Sequence, residues 1–372
     1  MTLSARRIRA VAQKELRHLF RDHRMRPILF VAPVLQLIVL GLAANLDVQD
    51  VRLLVVDADR SPVSREIAAR LDASPAFELV DVVSSDAAAE AALVDGSAEL
   101  VVVVPRGAQR GLARREPVDV PILVDGTDTN RALLAQSYAE RILARISAER
   151  APVPAPPVGR PDVRVRVLYN PALQSRWFML PAIVVMVLAI VTMLLSALAV
   201  VKEREKGTIE QLSVTPIQPV ELIVGKLLPF AGVGLVVALL VTGAAVGVFG
   251  LPLRGSVVVL VAMELLFLLS TLGFGLLAST LARTQQQAML AAMLVLLPSF
   301  LLGGLFYPIE NMPGWARALA DLSPVRWFGV MVRALFLQGA GFTSLARESA
   351  MLALLGAVVL GTAMLRFRKR SA

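Results

Sequence analysis

The charged stretch at residues 202–226 is the best candidate for a functional site in this chain. It reads KEREKGTIEQLSVTPIQPVELIVGK and carries four basic and four acidic residues between two apolar runs. Its pair Gly225 and Lys226 lacks the upstream glycine and the following Ser or Thr of a phosphate-binding loop. The sequence also holds no cysteine, no G-x-S-x-G motif and no clustered metal ligands. We therefore expect contact with a partner here, and no nucleotide hydrolysis by this chain.

The spacing within this stretch predicts a short helix with fixed ends. Thr208 followed three residues later by Gln211 fits a capping box, which starts a helix at Thr208. Pro216 and Pro219 end that helix. Pro219 can then be the first residue of the next helix, with Glu221 in its opening turn. So short a helix is unstable alone and must be held by its neighbours. This arrangement suits a contact surface for another protein.

The elements around this stretch are predicted to cross a membrane. Of the 372 residues, 56% are hydrophobic and only 18% are charged, and the mean hydropathy is +0.68. A span needs about 20 apolar residues. Six stretches qualify, at about residues 26–46, 177–201, 227–250, 256–282, 286–307 and 348–365. We interpret the first as a retained anchor and not as a signal peptide, because its basic leader and its apolar run are both long.

The positions of Lys and Arg predict the orientation of the spans. Eight basic and only two acidic residues precede the first apolar run, and four basic residues follow the last span. Because cations are enriched in cytoplasmic segments, both termini are expected in the cytoplasm. The basic residues flank the spans and do not form one patch, so no nucleic-acid partner is expected.

Residues 1–25 are predicted to form an amphipathic helix in the cytoplasmic interface. Arg and Lys occupy one side of this helix. The other side carries Ile8, Val11, Ala12, Leu16, Leu19 and Phe20. A plain basic leader that only sets the topology is the alternative.

Residues 47–170 have the pattern of a small α/β domain inserted after the first span. The β-rich runs VRLLVVD, FELVDVV, ELVVVVP and VDVPILVD alternate with stretches that favour helix. A Pro-rich spacer at 151–161 should be extended, and VRVRVLYN after it has the alternation of an edge strand. The predicted fold is an α-helical integral membrane protein with six transmembrane helices, five of them within 171–372, and an extracytoplasmic α/β insert.

Two groups of polar residues leave alternatives open. Asp57, Asp59, Asp125 and Asp128 lack the spacing of a calcium loop, which favours turn and helix-cap roles over a cation site. Glu264 falls within the fourth predicted span, where an ionisable group is costly and often functional. It is a possible pathway residue, although a position near the outer end would also permit an incidental, hydrated side chain.

Four segments together resemble one known family. They are LYNPALQSRWFMLPAIV, KEREKGTIEQLSVTPIQPVELIVGKLLPF, STLARTQQQAM and LLGGLFYPIENMPGWARALADLSPVRW. In this order they resemble permease subunits of type-2 ABC transporters, specifically the subgroup with a large extracytoplasmic domain after the first transmembrane helix. The resemblance extends over essentially the whole chain, and the EREKGT-EQL-TP-GK stretch is its most specific part.

The resemblance implies that the loop 202–226 couples this chain to a separate ABC ATP-binding subunit. That partner would bind ATP and Mg, while this chain binds no cofactor. A second permease, identical or paralogous, would complete the pathway in the lipid bilayer, and a membrane-fusion protein is a further possible partner. The implied coupling residues are Glu203, Glu205, Gly207, Thr208, Glu210, Gln211, Leu212, Thr215, Pro216, Glu221, Gly225 and Lys226. Of these, Glu203, Glu205 and Glu210 are candidate acidic contacts for a basic groove.

The resemblance also implies that residues 303–339 return into the outer leaflet as short re-entrant helices. The sequence permits this, because prolines interrupt the backbone and aromatic residues suit an interface. The relevant residues are Pro308, Pro313, Trp315 and Pro324. An ordinary surface loop is the alternative.

The expected function is that of a permease in an ABC exporter of the bacterial cytoplasmic (inner) membrane. Its substrate would be drug-like, lipid or otherwise amphipathic. The alternative is a membrane receptor or scaffold that does not transport and whose extracytoplasmic domain binds a ligand.

Overall fold

The computed structural model describes residues 4–21, 23, 25–44, 50–114, 116–127, 129–150, 169, 175–205, 207, 217–305, 307 and 309–370. The chain divides into two compact units. The first, the helical unit, combines Met1–Asn45 with Arg166–Ala372, and the second, the sheet unit, is Leu46–Val165.

Helices and short strands account for most of the described chain. The α-helices are α1 (Ala5–Arg21), α2 (Met25–Ala43), α3 (Pro62–Asp72), α4 (Asp86–Val94), α5 (Ala108–Arg114), α6 (Thr129–Arg150), α7 (Ser175–Glu205), α8 (Pro219–Phe249), α9 (Val257–Leu281), α10 (Gln285–Leu302), α11 (Gly314–Asp321), α12 (Pro324–Arg333) and α13 (Ala346–Arg370). The strands are β1 (Val51–Asp57), β2 (Phe77–Val83), β3 (Leu100–Val104) and β4 (Ile122–Val124). A 3₁₀ turn covers Ile309–Asn311, and a π-helical turn, Ala334–Gln338, continues α12.

In the described part of the chain, six helices are long and apolar enough to cross a membrane, namely α2, α7, α8, α9, α10 and α13. They coincide with the six predicted spans, but several boundaries differ. Helix α13, for example, ends at Arg370 and not near residue 365. Helix α8 begins at Pro219 and not near residue 227. The sequence suggested a later start because Glu221 and Lys226 make the first turns of α8 polar. These turns are nevertheless helical, and both side chains are buried. Helix α10 ends at Leu302 and not near residue 307, and Gly304 adopts the left-handed conformation just beyond it.

Helix α7 forms the centre of the helical unit and is the most deeply buried of the six long helices. It packs closely against α9, where Thr192 Oγ1 donates a 2.9 Å hydrogen bond to Thr271 Oγ1. Small and hydroxyl side chains at the contact let the two helix backbones come close. Helices at the periphery expose apolar stripes instead. On α2 the stripe consists of Ile28, Val31, Leu35, Val39 and Leu42. These stripes suit contact with lipid chains.

The second unit is a four-stranded sheet covered by helices on both faces. The strand order is β2-β1-β3-β4, with β1 parallel to β2 and β3, and β4 antiparallel to β3. Alternate residues of β1 enter two cores. Leu53 and Val55 pack with α3, α5 and α6, whereas Leu54 and Val56 pack with α4. Burial on both faces explains the apolar run from Leu53 to Val56 in this strand. The predicted α/β composition is confirmed, and the extracytoplasmic location stays a prediction.

Three of the four aspartates considered as a cation site, Asp57, Asp59 and Asp125, instead bind backbone N–H groups in turns. Asp57 accepts a 3.1 Å hydrogen bond from the backbone N–H of Asp59. Asp59 accepts a 2.7 Å hydrogen bond from the backbone N–H of Gly107, and Asp125 also accepts a backbone N–H. The structure does not describe Asp128, the spacer 151–161 or, apart from residue 169, the predicted edge strand. Among the described residues, no group of three or more His, Asp or Glu side chains could hold a metal ion.

Candidate functional site

The two ends of the charged stretch lie together at one end of the helical unit. Residues 202–205 form the last turn of α7, and residues 219–226 form the first turns of α8. We define the charged end by Glu15, Glu203, Glu205, Glu221 and Lys226. Among the predicted coupling residues, the structure does not describe Thr208, Glu210, Gln211, Leu212, Thr215 and Pro216, so the capped helix stays a prediction.

Lys226 joins three helices at the charged end. Its side chain is only 3% exposed. The Nζ atom lies 2.9 Å from Glu15 Oε1 of α1 and 2.9 Å from Glu203 Oε1 of α7. It also donates a 3.0 Å hydrogen bond to the carbonyl oxygen of Ala199. An ammonium group has three donors, and here each meets an acceptor. Burial of this charge is therefore compensated, and α1, α7 and α8 are tied to one point.

Glu221 makes a second connection between α1 and α8. Its buried carboxylate accepts a 3.0 Å hydrogen bond from the backbone N–H of Gln218, which caps the start of α8. It also accepts a 2.7 Å hydrogen bond from the backbone N–H of Ser4 and lies 3.4 Å from Arg7 Nη1. The predicted helix start at Pro219, with Glu221 in its opening turn, is confirmed. One carboxylate thus binds the residues that immediately precede two helices.

Gly225 permits the close approach of α1 to α8. A Cβ atom at this position would lie 2.7 Å from Val11 Cβ and 3.0 Å from the carbonyl oxygen of Ile8. Both distances are shorter than ordinary packing contacts, and the carbonyl belongs to the backbone of α1. Gly225 therefore serves helix packing, which gives a physical reason for a glycine beside Lys226.

The last residues of α7 also bind the turn between α9 and α10. Arg204 Nη1 donates a 2.6 Å hydrogen bond to the carbonyl oxygen of Ala282. Glu205 Oε2 accepts hydrogen bonds from the backbone N–H and the side-chain amide of Gln285, at 3.2 and 2.8 Å. Gly207 follows with φ of 71°, a left-handed conformation that ends a helix readily. The C-terminal end of α7 is therefore fixed on two sides.

These contacts change the interpretation of two predicted coupling residues. The sequence suggested that Glu203 and Glu205 offer their carboxylates to a partner. In the structure both carboxylates bind groups of this chain, namely Lys226 and Gln285. Glu15 was not among the predicted coupling residues, although the sequence carries a signal for it. An acidic residue stands one turn after Val11, on the apolar side of an otherwise basic helix.

Glu264 is buried within the helical unit and is only 1% exposed. Its Oε1 lies 3.5 Å from Thr242 Oγ1 of α8, and its Oε2 has no hydrogen-bond partner among the described residues. This burial does not support the hydrated alternative. A role in the transport pathway stays a prediction.

The segment after α10 contains short helices, as expected for residues 303–339. Pro313 precedes α11, and Pro324 is the first residue of α12. Trp315 is 68% exposed, whereas Trp327 is buried and donates a 2.9 Å hydrogen bond to the carbonyl oxygen of Asp321. Pro308 lies outside the described residues. Whether these helices enter a lipid leaflet stays a prediction.

The fold and the charged end together are those of a multi-pass membrane protein whose helices are joined at one end by polar contacts. Residues 24–365 match the family described as ABC-2 family transporter protein. The chain is 30% identical over 334 residues to the probable multidrug ABC transporter permease YbhR of Escherichia coli K12, covering 90% of both chains. It is 34% identical over 345 residues to the probable multidrug ABC transporter permease YbhS of the same strain, covering 91% of this chain and 90% of the relative. It is 23% identical over 352 residues to the linearmycin resistance permease protein LnrN of Bacillus subtilis, covering 87% of this chain and 89% of the relative.

The chain belongs to the ABC-2 transporter family. It is a permease subunit, as the resemblance of its four sequence segments implied. Family membership therefore favours the permease over a receptor or scaffold that does not transport.

Proposed function

We propose that this permease belongs to an ATP-driven exporter whose ATPase subunit contacts the loop between α7 and α8. The observation that carries this proposal is the geometry of the charged end. Lys226 and Glu221 hold the start of α8 against α1, and Glu205 holds the end of α7 against the α9–α10 turn. Because both ends of the loop are held against other helices, a movement of the loop would be passed to α7 and α8.

The roles within the charged end follow from this geometry. Glu203, Glu205, Glu221 and Lys226 position the loop, while residues 208–216 would meet the ATPase. The partner subunit would bind ATP and Mg²⁺ and supply the energy for transport. This chain would transmit the resulting movement to α7 and α8, which in turn would rearrange the pathway shared with a second permease.

The proposed substrates are drug-like, lipid or other amphipathic molecules. The names of two relatives specify multidrug transport, and that of a third specifies linearmycin resistance. The second permease is either an identical copy or a paralogue. A membrane-fusion protein would be an additional partner if export continues across a second membrane.

The coupling proposal predicts that Leu212→Asp weakens the association with the ATPase. A new charge at an interface centre typically costs about 2 kcal/mol or more, which corresponds to roughly thirtyfold in affinity. Co-purification of the ATPase and substrate export should therefore both fall, while membrane insertion stays normal. Val94→Asp is the control, because it adds the same charge at a side chain that is 89% exposed in the sheet unit. Normal ATPase recovery and export with Leu212→Asp would show that the loop is not the contact.

The proposed topology places the sheet unit outside the cytoplasm and both termini inside. The native chain has no cysteine, so single cysteines can be introduced without background. On intact cells, an impermeant thiol reagent should label Ser84→Cys and leave Ser371→Cys unlabelled until the cells are opened. Labelling of Ser371→Cys alone on intact cells would show that the orientation is the opposite of the proposed one.

A further inference from the structure

We propose that the outer face of α1 binds the anionic headgroups of membrane lipids. This outer face is defined by Arg6, Arg9, Arg17 and Arg21. All four side chains are exposed. In the part of the chain that the structure describes, none of the four forms an ion pair or a side-chain hydrogen bond. Four positive charges on one helix therefore lack a counter-charge among the described residues.

The inner side of α1 is already occupied, which fixes where the arginines point. Ser4, Arg7, Val11 and Glu15 recur at helical spacing and contact α8. The helix cannot turn its basic side toward the bundle without breaking these contacts. The outer face must therefore meet either solvent, lipid or another protein.

Exposed apolar residues beside the arginines favour lipid over another protein as the partner of the outer face. Leu16 and Phe20 are 42% and 40% exposed. The ring of Phe20 stacks on the ring of Phe30 in α2, with 6.1 Å between centroids. Helix α2 continues outward with the exposed apolar residues Ile28 and Val31. The apolar flank of α1 thus joins the lipid-facing side of the first span.

This continuity sets the depth of α1 at the membrane surface. A helix with an apolar flank and a basic face lies in the interface, with its cations at the level of the headgroups. A soluble protein that covered Leu16 and Phe20 would have to enter the bilayer beside α2. Anionic headgroups need no such entry, since they already surround the helix. Each arginine near an anionic surface is expected to strengthen binding by roughly fivefold.

The contact would stabilise the charged end. Glu15 lies on the same helix as the arginines and binds Lys226, so lipid that holds α1 also holds the start of α8. Lipid binding itself does not rest on the proposed ATPase coupling, and its measurement needs no ATPase.

The test measures which lipid surrounds α1 in the full chain. A single Gln13→Cys, placed on the exposed side of α1, carries a fluorophore in vesicles of phosphatidylcholine with about one third phosphatidylglycerol. The quencher is attached to phosphatidylglycerol in one sample and to phosphatidylcholine in the other. Quenching should be stronger with labelled phosphatidylglycerol than with labelled phosphatidylcholine, and added salt should reduce the difference.

Substitution of all four arginines by glutamine should abolish the preference, and substitution by lysine should keep it. The matched control replaces four exposed arginines of the sheet unit, Arg65, Arg106, Arg114 and Arg145, and should leave the preference unchanged. Equal quenching by both lipids around the native face would overturn the proposal. So would a glutamine variant that keeps the preference. If that variant instead loses ATPase co-purification and the native face shows no lipid preference, the face binds protein.

Discussion

Replacing Lys226 with methionine is expected to destabilise the helical unit by about 3 to 5 kcal/mol, as is typical when one partner of a buried ion pair is removed. Methionine has a similar length and lacks the charge. Glu15 and Glu203 would then lie close together without their shared cation, in a site from which most water is excluded. The measurement is the midpoint temperature of unfolding of the purified permease in detergent.

Lys14 provides the matched control for this prediction. Its ammonium group lies 3.3 Å from Glu203 Oε1, but its side chain is 63% exposed. Lys14→Met should therefore change stability by less than about 1 kcal/mol. Combining Lys226→Met with Glu15→Gln and Glu203→Gln removes all three charges and should recover much of the lost stability. Equal midpoints for Lys226→Met and Lys14→Met would show that the buried cluster does not hold the three helices together.

The sequence predicts the elements of this cluster better than their contacts. The periodicity of residues 1–25 shows which side of α1 is apolar, because a helix repeats every 3.6 residues. It does not show that this side meets α8, because the partner is more than 200 residues away in sequence. The start of α8 was predictable because Pro219 and Glu221 form a local cap. Local signals thus give helix ends, whereas the contacts at Glu15 depend on the tertiary fold.

The same distinction applies to the charged last turn of α7. Alternating charges at residues 202–205 predict a polar surface, and Glu203 and Glu205 were expected to contact the ATPase. The structure instead directs Glu203 toward Lys226 and Glu205 toward the α9–α10 turn. The sheet unit was easier to predict, since residues 53–56 of β1 form an apolar run between polar residues. No tertiary contact was needed to recognise it.

The contacts also distinguish residues that position the loop from residues proposed to bind the ATPase. Residues on α7 and α8 use their charges within the chain, so single charge changes there should act through the position of the loop. Changes within residues 208–216 should act on the partner directly. The two groups are therefore distinguishable, because only the first should lower the stability of the permease when no ATPase is present.

Gly275→Ala is expected to lower the stability of the permease, by about 1 to 3 kcal/mol or more, because it overpacks the contact between α7 and α9. A Cβ atom at Gly275 would lie 1.9 Å from Ser196 Oγ and 2.2 Å from the carbonyl oxygen of Met193. The hydroxyl can rotate away, but the carbonyl belongs to the backbone of α7. The two helices would therefore have to separate and stretch the nearby Thr192–Thr271 hydrogen bond.

Gly243→Ala in α8 is the control, because a Cβ atom there would meet no other atom within 4 Å. Alanine favours helix over glycine by about 1 kcal/mol, so this variant should be neutral or more stable. The same chemical change is thus expected to have opposite signs at two glycines in transmembrane helices. The comparison is made between unfolding midpoints in the same detergent. A midpoint for Gly275→Ala at or above that of Gly243→Ala would mean that α7 and α9 do not pack at this distance.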